Sequence, residues 1–259
     1  MQKQLSVALL QSTLVWEDPI ENRLDFTKKI NDIKKPVDLI ILPEMFTTGF
    51  TMNPAIIAET MDGNSVEWMK QMAKETKAAI IGSLVITEGK DHYNRLFFVE
   101  PSGLIHTYDK RHTFTLAGEH LVYTAGTEHA LVEYKGWRIN PLICYDLRFP
   151  VWARNWQDYD LLLYVANWPK PRIAAWDALL KARAIENMSY CIGVNRVGLD
   201  ANGLEYPGHS VVYDLFGNAI AEGEENQEST IIASLTKEHL KKYREKLQFL
   251  NDRDTFSLT

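Results

Sequence analysis

The sequence has few cysteines, no long apolar run and no excess of basic residues. Two cysteines among 259 residues are too few for a disulfide framework, so we expect reduced thiols. No apolar run reaches the roughly 18 residues that a membrane span needs, and the first residues show no secretory signal pattern. The formal net charge of −6 argues against nucleic-acid binding. These absences predict a cytoplasmic protein that binds neither membranes nor nucleic acids.

No linker rich in Gly, Ser or Pro divides the chain, and no segment has low complexity. The hydrophobic content of 46% and the charged content of 24% are typical of soluble globular proteins. Chains of this length with α/β folds often form one domain around a large core. We therefore predict a single domain over residues 1–259.

Hydrophobic periodicity predicts an α/β fold in which strands alternate with helices near both ends of the chain. The predicted strands lie at 5–10, 38–42, 79–87, 96–99, 105–108, 131–134, 137–143, 161–165, 190–197, 210–213, 219–221 and 229–233. The predicted helices lie at 19–34, 65–76, 151–157, 173–187 and from a Thr236 cap to about 249. Two strand-rich halves separated by helices indicate layered sheets with helices on the outside.

Cys144 directly follows the apolar run 139–143, and a short polar segment then leads through Pro150 into a predicted helix. A cysteine at such a strand-to-helix turn lies beside unpaired backbone N–H groups, which are expected to lower the thiol pKa and favour a nucleophilic thiolate. The alternative is a small buried apolar residue, the usual state of a free cysteine. Cys191 lies inside an apolar strand, and we expect it to be inert.

Glu44 and Lys110 also follow predicted strands. The carboxyl ends of strands gather at one side of an α/β sheet, so these two side chains can meet Cys144 there. Together they would supply a base, a cation for the developing oxyanion and, with the N–H of Tyr145, a backbone donor. Taken singly, the alternatives are a solvated loop acid for Glu44 and an exposed charge cluster for Lys110.

These motifs resemble the nitrilase superfamily of carbon–nitrogen hydrolases in their order and approximate spacing. The matching segments are Leu-Pro-Glu-Met-Phe at 42–46, Tyr-Asp-Lys-Arg-His at 108–112, Ile-Cys-Tyr-Asp-Leu-Arg-Phe-Pro at 143–150, Ala-Arg-Ala-Ile-Glu-Asn at 182–187 and Gly-His-Ser at 208–210. The resemblance covers nearly the whole chain. It implies a four-layer α-β-β-α sandwich that commonly pairs into dimers through its outer helices.

The resemblance also implies a role for each matching residue. Glu44 would be the general base, Lys110 the oxyanion-stabilising cation and Cys144 the nucleophile. Members often carry a second glutamate between the lysine and cysteine motifs, and Glu119 fits that place. The reaction needs no cofactor, and the sequence has no metal-ligand motif such as His-Glu-x-x-His.

Within the superfamily, segments 114–119 and 166–169 look most like the omega-amidase branch, which hydrolyses the terminal amide of 2-oxoglutaramate and 2-oxosuccinamate. Aliphatic nitrilases usually have Cys-Trp-Glu where this chain has Cys144, Tyr145 and Asp146, which argues against nitrile hydrolysis. Two alternatives stay open. One is another hydrolase of N-carbamoyl amino acids or aliphatic amides, and the other is a silent member that binds a metabolite or partner.

A 2-oxo acid amide carries a carboxylate, so its pocket should offer a cation away from Lys110. The candidate substrate-binding residues follow strand ends or the cysteine: Phe46, Tyr145, Trp168, Arg172, Arg196 and His209. Each candidate also has a structural interpretation. Arg196 would pair with Asp200, His209 would be a hydrogen-bonded histidine of the core, and Phe46 and Trp168 would be aromatic residues of the core. We expect Arg148 to brace the cysteine turn through a carboxylate.

The C-terminal tail from about residue 250 has no strong pattern. By resemblance we predict a homodimer, and the tail either crosses to the partner subunit or frays.

Overall fold

The structure, a computed structural model, describes residues 2–257. The predicted domain, residues 1–259, also includes Met1 and residues 258–259, which lie outside the described residues. The strands are β1 (Gln4–Gln11), β2 (Leu39–Ile41), β3 (Ala79–Glu88), β4 (Asp91–Val99), β5 (Ile105–Asp109), β6 (Val132–Tyr134), β7 (Trp137–Ile143), β8 (Leu161–Ala166), β9 (Tyr190–Asn195), β10 (Val197–Leu199), β11 (Glu205–Pro207), β12 (Val211–Tyr213), β13 (Ala219–Glu222) and β14 (Ser229–Thr236). The α-helices are α1 (Pro19–Asn31), α2 (Pro54–Ile57), α3 (Asn64–Thr76), α4 (Pro150–Ala153), α5 (Ile173–Glu186) and α6 (Lys237–Leu247).

Two sheets of six strands form the centre of the molecule. The first sheet has the order β14-β1-β2-β3-β4-β5, with β1, β2 and β3 parallel. The second has the order β13-β12-β9-β8-β7-β6, with β7, β8 and β9 parallel. The carboxyl ends of the parallel strands in each sheet lie along one edge, where ligand sites form in α/β folds.

Alternating residues of the strands separate the core into layers. On β1, Leu5, Val7 and Leu9 belong to the cluster that fills the space between the sheets, whereas Ala8 and Leu10 pack outward with helices α1 and α3. On the other side, α5 packs on the second sheet through Trp176 and Leu180. The predicted four-layer α-β-β-α sandwich is confirmed.

Most predicted elements are present, with boundaries shifted by local side-chain contacts. Helix α1 begins as predicted, because the Asp18 carboxylate accepts hydrogen bonds from the N–H groups of Ile20 and Glu21. It ends at Asn31, three residues before the predicted position 34. The predicted helix 151–157 is wrong beyond Ala153, because the backbone becomes extended at Arg154.

Two further boundaries differ from the predictions in the second half of the chain. The predicted strand 190–197 is interrupted at Arg196, which separates β9 from β10. Thr236 precedes the last helix, but its side chain makes no capping hydrogen bond, and the helix ends at Leu247 before a left-handed Gln248. Strands β10 and β11 form a short antiparallel hairpin outside both sheets, which the sequence did not predict.

In residues 2–257, no helix has the length and apolar character to cross a membrane. The C-terminal segment follows α6 with a short 3₁₀ turn, Phe249–Asp252. Arg253 then donates hydrogen bonds to the carbonyl of Asn155 at 2.9 Å and to Asp158 at 2.7 Å. This part of the tail packs on its own chain.

Candidate active site

A lysine and two glutamates form a buried ionic cluster at the edge of the first sheet. Glu44 follows β2, Lys110 follows β5, and Glu119 lies in a 3₁₀ turn. The Lys110 Nζ lies 2.8 Å from Glu44 Oε1 and 2.9 Å from both carboxylate oxygens of Glu119. Asn94 on β4 also donates to Glu44, at 2.8 Å. Because Lys110 is 1% exposed and both glutamates are fully buried, water screens these charges little.

The cluster holds two carboxylates against one ammonium group. Burial alone would lower the pKa of Lys110, but Glu119 and Glu44 outweigh it and raise the pKa above its usual value, so the lysine stays charged. Burial raises the pKa of Glu119, Lys110 opposes this increase, and Glu44 adds to it. The lysine is therefore a fixed positive charge, and the two carboxylates compete for it.

Cys144 begins a 3₁₀ turn, Cys144–Arg148, directly after β7. Its backbone lies in the left-handed region, with φ of 43°, which is rare for a residue with a side chain. The N–H groups at the start of a helical turn have no partner within it, so the Tyr145 N–H is available beside the sulfur. Such strained residues cluster at functional sites, where the surrounding structure holds them in place.

The thiol pKa is the opposite of the prediction. Burial raises the pKa of Cys144 well above its usual value, the negative charge of Glu44 raises it further, and Lys110 only partly opposes them. The sequence-based expectation placed Glu44 near Cys144 as its base, but it weighed only the backbone N–H groups in the thiol pKa. It left out the burial of the thiol and the negative charge of that carboxylate, so the resting group is a neutral thiol next to a base.

Asn167, directly after β8, connects the two sheets at this point. Its backbone N–H donates to Glu44 Oε2 at 2.9 Å, and its side chain donates to the Glu44 carbonyl at 2.6 Å. Its own carbonyl lies 3.9 Å from the Cys144 Sγ. Asn167 and Asn94 are functional candidates that the sequence analysis did not select, although Asn167 follows an apolar strand just as Glu44 does.

A cavity of about 330 Å³ opens from this cluster to the surface. It contains the catalytic candidates Lys110 and Cys144 at its buried end, with aromatic, apolar and charged side chains around it. The lining residues are Phe50, Met52, Lys110, Phe114, Ala117, Cys144, Tyr145, Arg148, Asn167, Trp168, Pro169, Arg172, Asp200, Asn202, Leu204 and Tyr206. The last four come from the unpredicted β10–β11 hairpin and its turn, so the hairpin forms one wall of the cavity.

Two arginines reach this cavity, each over an aromatic ring. The Arg172 guanidinium lies 5.1 Å from the centroid of the Phe114 ring, and the Arg148 guanidinium lies 5.0 Å from that of the Trp168 ring. Neither forms an ion pair with any residue in the range 2–257. The expectation that Arg148 braces the cysteine turn through a carboxylate is therefore wrong, because its side chain extends over Trp168 toward solvent.

Three of the predicted substrate-binding residues lie outside the cavity. Phe46 is fully buried in the outer core, where its ring packs 5.6 Å from those of Phe26 and Trp68. The turn at Met45, with φ of 43°, separates the direction of Phe46 from that of Glu44. Phe46 therefore packs in the core and does not form a wall of the site.

Arg196 and His209 are also separate from the cavity. Arg196 is 1% exposed and donates to the carbonyls of Leu14 and Leu199, with its guanidinium over the Tyr206 ring. It supports the hairpin wall from behind. His209 contacts Asp177 at 3.0 Å and lines a different surface depression. Neither side chain can reach a substrate beside Cys144.

Within the described part of the chain, no group of three or more His, Cys, Asp or Glu side chains has an arrangement that could hold a metal ion. Both cysteines are free and buried. The described residues bring together a thiol, two carboxylates and an ammonium group at Cys144, Glu44, Glu119 and Lys110.

Comparison with known proteins agrees with this geometry. The profile of the carbon-nitrogen hydrolase family matches residues 6–245. The chain is 48% identical to the omega-amidase YafV of Escherichia coli K12 over 98% of both chains, and 33% identical to the 2-oxoglutaramate amidase of Bacillus subtilis over 95% of this chain and 96% of that one. The crystal structure of XC1258 from Xanthomonas campestris, a CN-hydrolase superfamily protein with an arsenic adduct in its active site, is 42% identical with a TM-score of 0.97 and covers 100% of both chains. This chain is an enzyme of the carbon-nitrogen hydrolase family.

Proposed function

We propose that this enzyme is an omega-amidase that hydrolyses the terminal amide of 2-oxoglutaramate or 2-oxosuccinamate to the 2-oxo dicarboxylate and ammonia. The observation that carries the proposal is a cavity with the Cys144 thiol and Lys110 at its buried end and Arg148 and Arg172 nearer its opening. This arrangement, with the thiol and lysine deep in the cavity and the arginines nearer its opening, suits a short molecule with an amide at one end and a carboxylate at the other. The omega-amidase and 2-oxoglutaramate amidase names of its relatives support the same substrate class.

Glu44 acts as the general base in the first half of the reaction. It takes the proton from the Cys144 thiol as the sulfur attacks the amide carbon, and the carbonyl electrons move to oxygen. Lys110 and the Tyr145 N–H stabilise this oxyanion, and removing one such donor typically costs about 10²–10³ in rate. Glu44 then gives its proton to the nitrogen, the C–N bond breaks, and ammonia leaves a thioester on Cys144.

The same groups then hydrolyse the thioester. Glu44 takes a proton from water, the water oxygen attacks the thioester carbon, and the second oxyanion uses the same two donors. When the C–S bond breaks, the thiolate recovers its proton from Glu44, and the product leaves as a carboxylic acid that loses its proton to solvent. Glu119 keeps the Lys110 ammonium group in place throughout, because both of its oxygens contact Nζ.

Arg172 binds the substrate carboxylate in this proposal, and Tyr145 and Trp168 wall the cavity. Arg172 is half-buried and fixed over Phe114, so its guanidinium is held in a restricted position at the cavity. An amidase for simple aliphatic amides has no use for such a cation. Hydrolysis of N-carbamoyl amino acids remains the second candidate, because those substrates also carry a carboxylate.

Ammonia release from matched substrates tests the proposal. We expect turnover of 2-oxoglutaramate and of 2-oxosuccinamate, and about 10- to 100-fold lower kcat/KM for an amide of equal length that lacks the carboxylate, since one charged hydrogen bond contributes about 1.5–3 kcal/mol. An N-carbamoyl amino acid serves as the second comparison. Intact-protein mass during turnover should show an acyl adduct on Cys144, with Cys144→Ala as the matched control.

The outcomes separate the candidates. Equal activity on the amide without a carboxylate would contradict the omega-amidase proposal and favour an aliphatic amidase. Faster turnover of the carbamoyl substrate would favour that alternative. Ammonia release without any adduct in wild type, or from Cys144→Ala, would contradict the thioester mechanism itself.

We also propose a cytoplasmic homodimer. A cysteine nucleophile works only as a free thiol, which a reducing compartment maintains. Val151 and Trp156, each 49% exposed, lie on the segment that Arg253 of the C-terminal tail contacts through Asn155, and this apolar surface supports an interface that includes the tail. Light scattering tests this, and a stable monomer at micromolar concentration would contradict it.

A further inference from the structure

Asp146 lies two residues after the nucleophile, is fully buried and does not line the cavity. Each of its carboxylate oxygens accepts two hydrogen bonds. We propose that Asp146, with Tyr108 and His112, forms a clamp that holds the lysine segment and the cysteine turn at a fixed separation. The inference rests on the proposed function, and it makes Asp146 and His112 positioning residues that never touch substrate.

The hydrogen bonds connect the residues on either side of Lys110 to the residue before Cys144. On the lysine side, the Tyr108 hydroxyl donates to Asp146 Oδ2 at 2.8 Å, and the backbone N–H and Nδ1 of His112 donate to Oδ1 at 3.0 and 2.8 Å. On the cysteine side, the Ile143 N–H donates to Oδ2 at 3.1 Å. One carboxylate therefore ties together two segments that belong to different sheets.

The turn needs this support because its geometry is unfavourable. A non-glycine residue in the left-handed region, as Cys144 is, costs of order 1–3 kcal/mol and persists only when its surroundings fix it. The reaction also requires the sulfur, the Lys110 ammonium group and the Tyr145 N–H to converge on one carbonyl. A displacement of about 1 Å in such an arrangement can reduce the rate by about 10²-fold.

The position requires a carboxylate and not its neutral amide. The Tyr108 hydroxyl already accepts hydrogen bonds from Trp152 Nε1 at 3.0 Å and from the Arg111 N–H at 3.2 Å, so it donates its only proton to Asp146. All four groups that face Asp146 are thus donors. An asparagine would point its own N–H groups at two of them, whichever way the amide turned.

His112 contributes a donor and a stacked ring, and these can be separated. Its Nδ1 must carry a proton, because the carboxylate of Asp146 can only accept. Its ring lies parallel to that of Phe149, with centroids 3.6 Å apart. Asparagine at 112 retains an N–H near the position of Nδ1 and loses the stacking, whereas phenylalanine retains the stacking and loses the donor.

The test compares Asp146→Asn, His112→Phe and His112→Asn in the full chain, with kcat and KM for 2-oxoglutaramate. We expect kcat to fall about 10- to 100-fold in Asp146→Asn and His112→Phe with KM within about twofold of wild type, and His112→Asn to recover most of kcat. Equal losses in both His112 variants, or a rise in KM that accounts for the loss, would overturn the clamp. Should Asp146→Asn fail to fold, the two His112 variants decide alone.

A second measurement does not depend on the substrate. Iodoacetamide alkylates the Cys144 thiol as Glu44 removes its proton, and we expect this rate to fall about tenfold in His112→Phe and to recover in His112→Asn. An unchanged or faster rate in His112→Phe would overturn the clamp. If wild type fails to hydrolyse 2-oxoglutaramate while the alkylation rates follow this order, the substrate proposal fails and the clamp stands.

Discussion

The two sheets contribute different halves of the active site. The first sheet and the turn that follows it supply two carboxyl groups and an ammonium group, those of Glu44, Glu119 and Lys110, which are buried and contact each other. The second supplies a neutral thiol, Cys144, on a strained backbone next to the cavity. Favourable ionic contacts hold the charged half in place, whereas the surrounding structure holds Cys144 in a backbone conformation that is locally unfavourable.

This difference separates stability from chemistry. The ionic cluster needs its one cation, because an unpaired charge in the interior costs several kcal/mol. The cysteine makes few polar contacts, so its replacement should affect folding little although it abolishes the reaction. We therefore expect loss of Lys110 to reduce both stability and activity, and replacement of Cys144 to reduce activity almost alone.

Replacement of Lys110 tests the charged half and should have the largest effect. Lys110→Met leaves two carboxylates buried without a cation, so we expect no measurable activity and a loss of about 3–5 kcal/mol in the free energy of unfolding. Urea denaturation measures it, with Lys135→Met as the control, since the Lys135 pair with Asp38 is partly exposed and worth at most about 1 kcal/mol. Equal losses in both variants would contradict the comparison.

The same variant makes a prediction about pH. The pKa of Glu119 is already raised by burial in spite of Lys110, and without the lysine it should rise further. A carboxyl group whose folded pKa exceeds its unfolded pKa is more stable folded at low pH, and that stability is lost as pH rises through the folded pKa. Lys110→Met should therefore recover stability relative to wild type as the pH falls from the raised folded pKa of Glu119 toward the ordinary pKa of a glutamate.

Glu44→Gln tests whether the charged half also carries the proton transfer. We expect kcat to fall about 10²–10⁴-fold, the usual contribution of a general base. Lys110 keeps its two contacts with Glu119, so stability should change much less than in Lys110→Met. Glu88→Gln, at the exposed end of β3 in the same sheet, is the matched control. Activity within about tenfold of wild type would show that another group takes the thiol proton.

The sequence predicted which chemical groups meet, because strand direction determines where strand ends lie. Glu44, Lys110 and Cys144 each follow a strand, and in the fold all three strands end at the same edge. The hydrophobic runs located these strand ends, and the resemblance to the nitrilase superfamily supplied the role of each residue. The four layers were likewise implied by the resemblance, and the alternation of β1, whose side chains divide between the inner and outer cores, agrees with them.

The walls of the cavity could not be predicted, because they depend on turns of one or two residues. A left-handed Met45 sends Phe46 into the outer core, although Glu44 faces the site. The β10–β11 hairpin has three residues in each strand, too few for a periodic pattern, and it places Arg196 behind the wall. Burial is the first cause of the raised thiol pKa and the charge of Glu44 the second; the strand ends predicted that Glu44 lies near Cys144, but not how deeply the thiol is buried.

Replacement of Arg172 tests a wall of the cavity that lies outside both sheets, in the 3₁₀ turn that follows β8. In the proposed function it binds the substrate carboxylate, so Arg172→Met should raise KM about 10- to 100-fold with a smaller change in kcat. Lys170→Met is the matched control, since Lys170 lies two residues away, pairs with Glu205 and does not line the cavity. A similar KM in both variants would assign the carboxylate to another cation, and Arg148 would be tested next.

The smallest expected effect is a difference in stability caused by the backbone strain at Cys144, and it should favour glycine over alanine there. Glycine adopts the left-handed conformation of residue 144 without penalty, whereas a residue with a Cβ pays about 1–2 kcal/mol, so Cys144→Gly should be more stable than Cys144→Ala by about 1 kcal/mol. Cys191 lies within strand β9, where the order should reverse and alanine should be favoured by about 0.5–1 kcal/mol. Thermal unfolding of the glycine and alanine variants at positions 144 and 191 measures both stability differences under the same conditions. If glycine and alanine at 144 gave the same stability, the backbone of the turn would be unstrained. The hydrogen bonds of Asp146 would then not be needed to hold Cys144 in an unfavourable conformation.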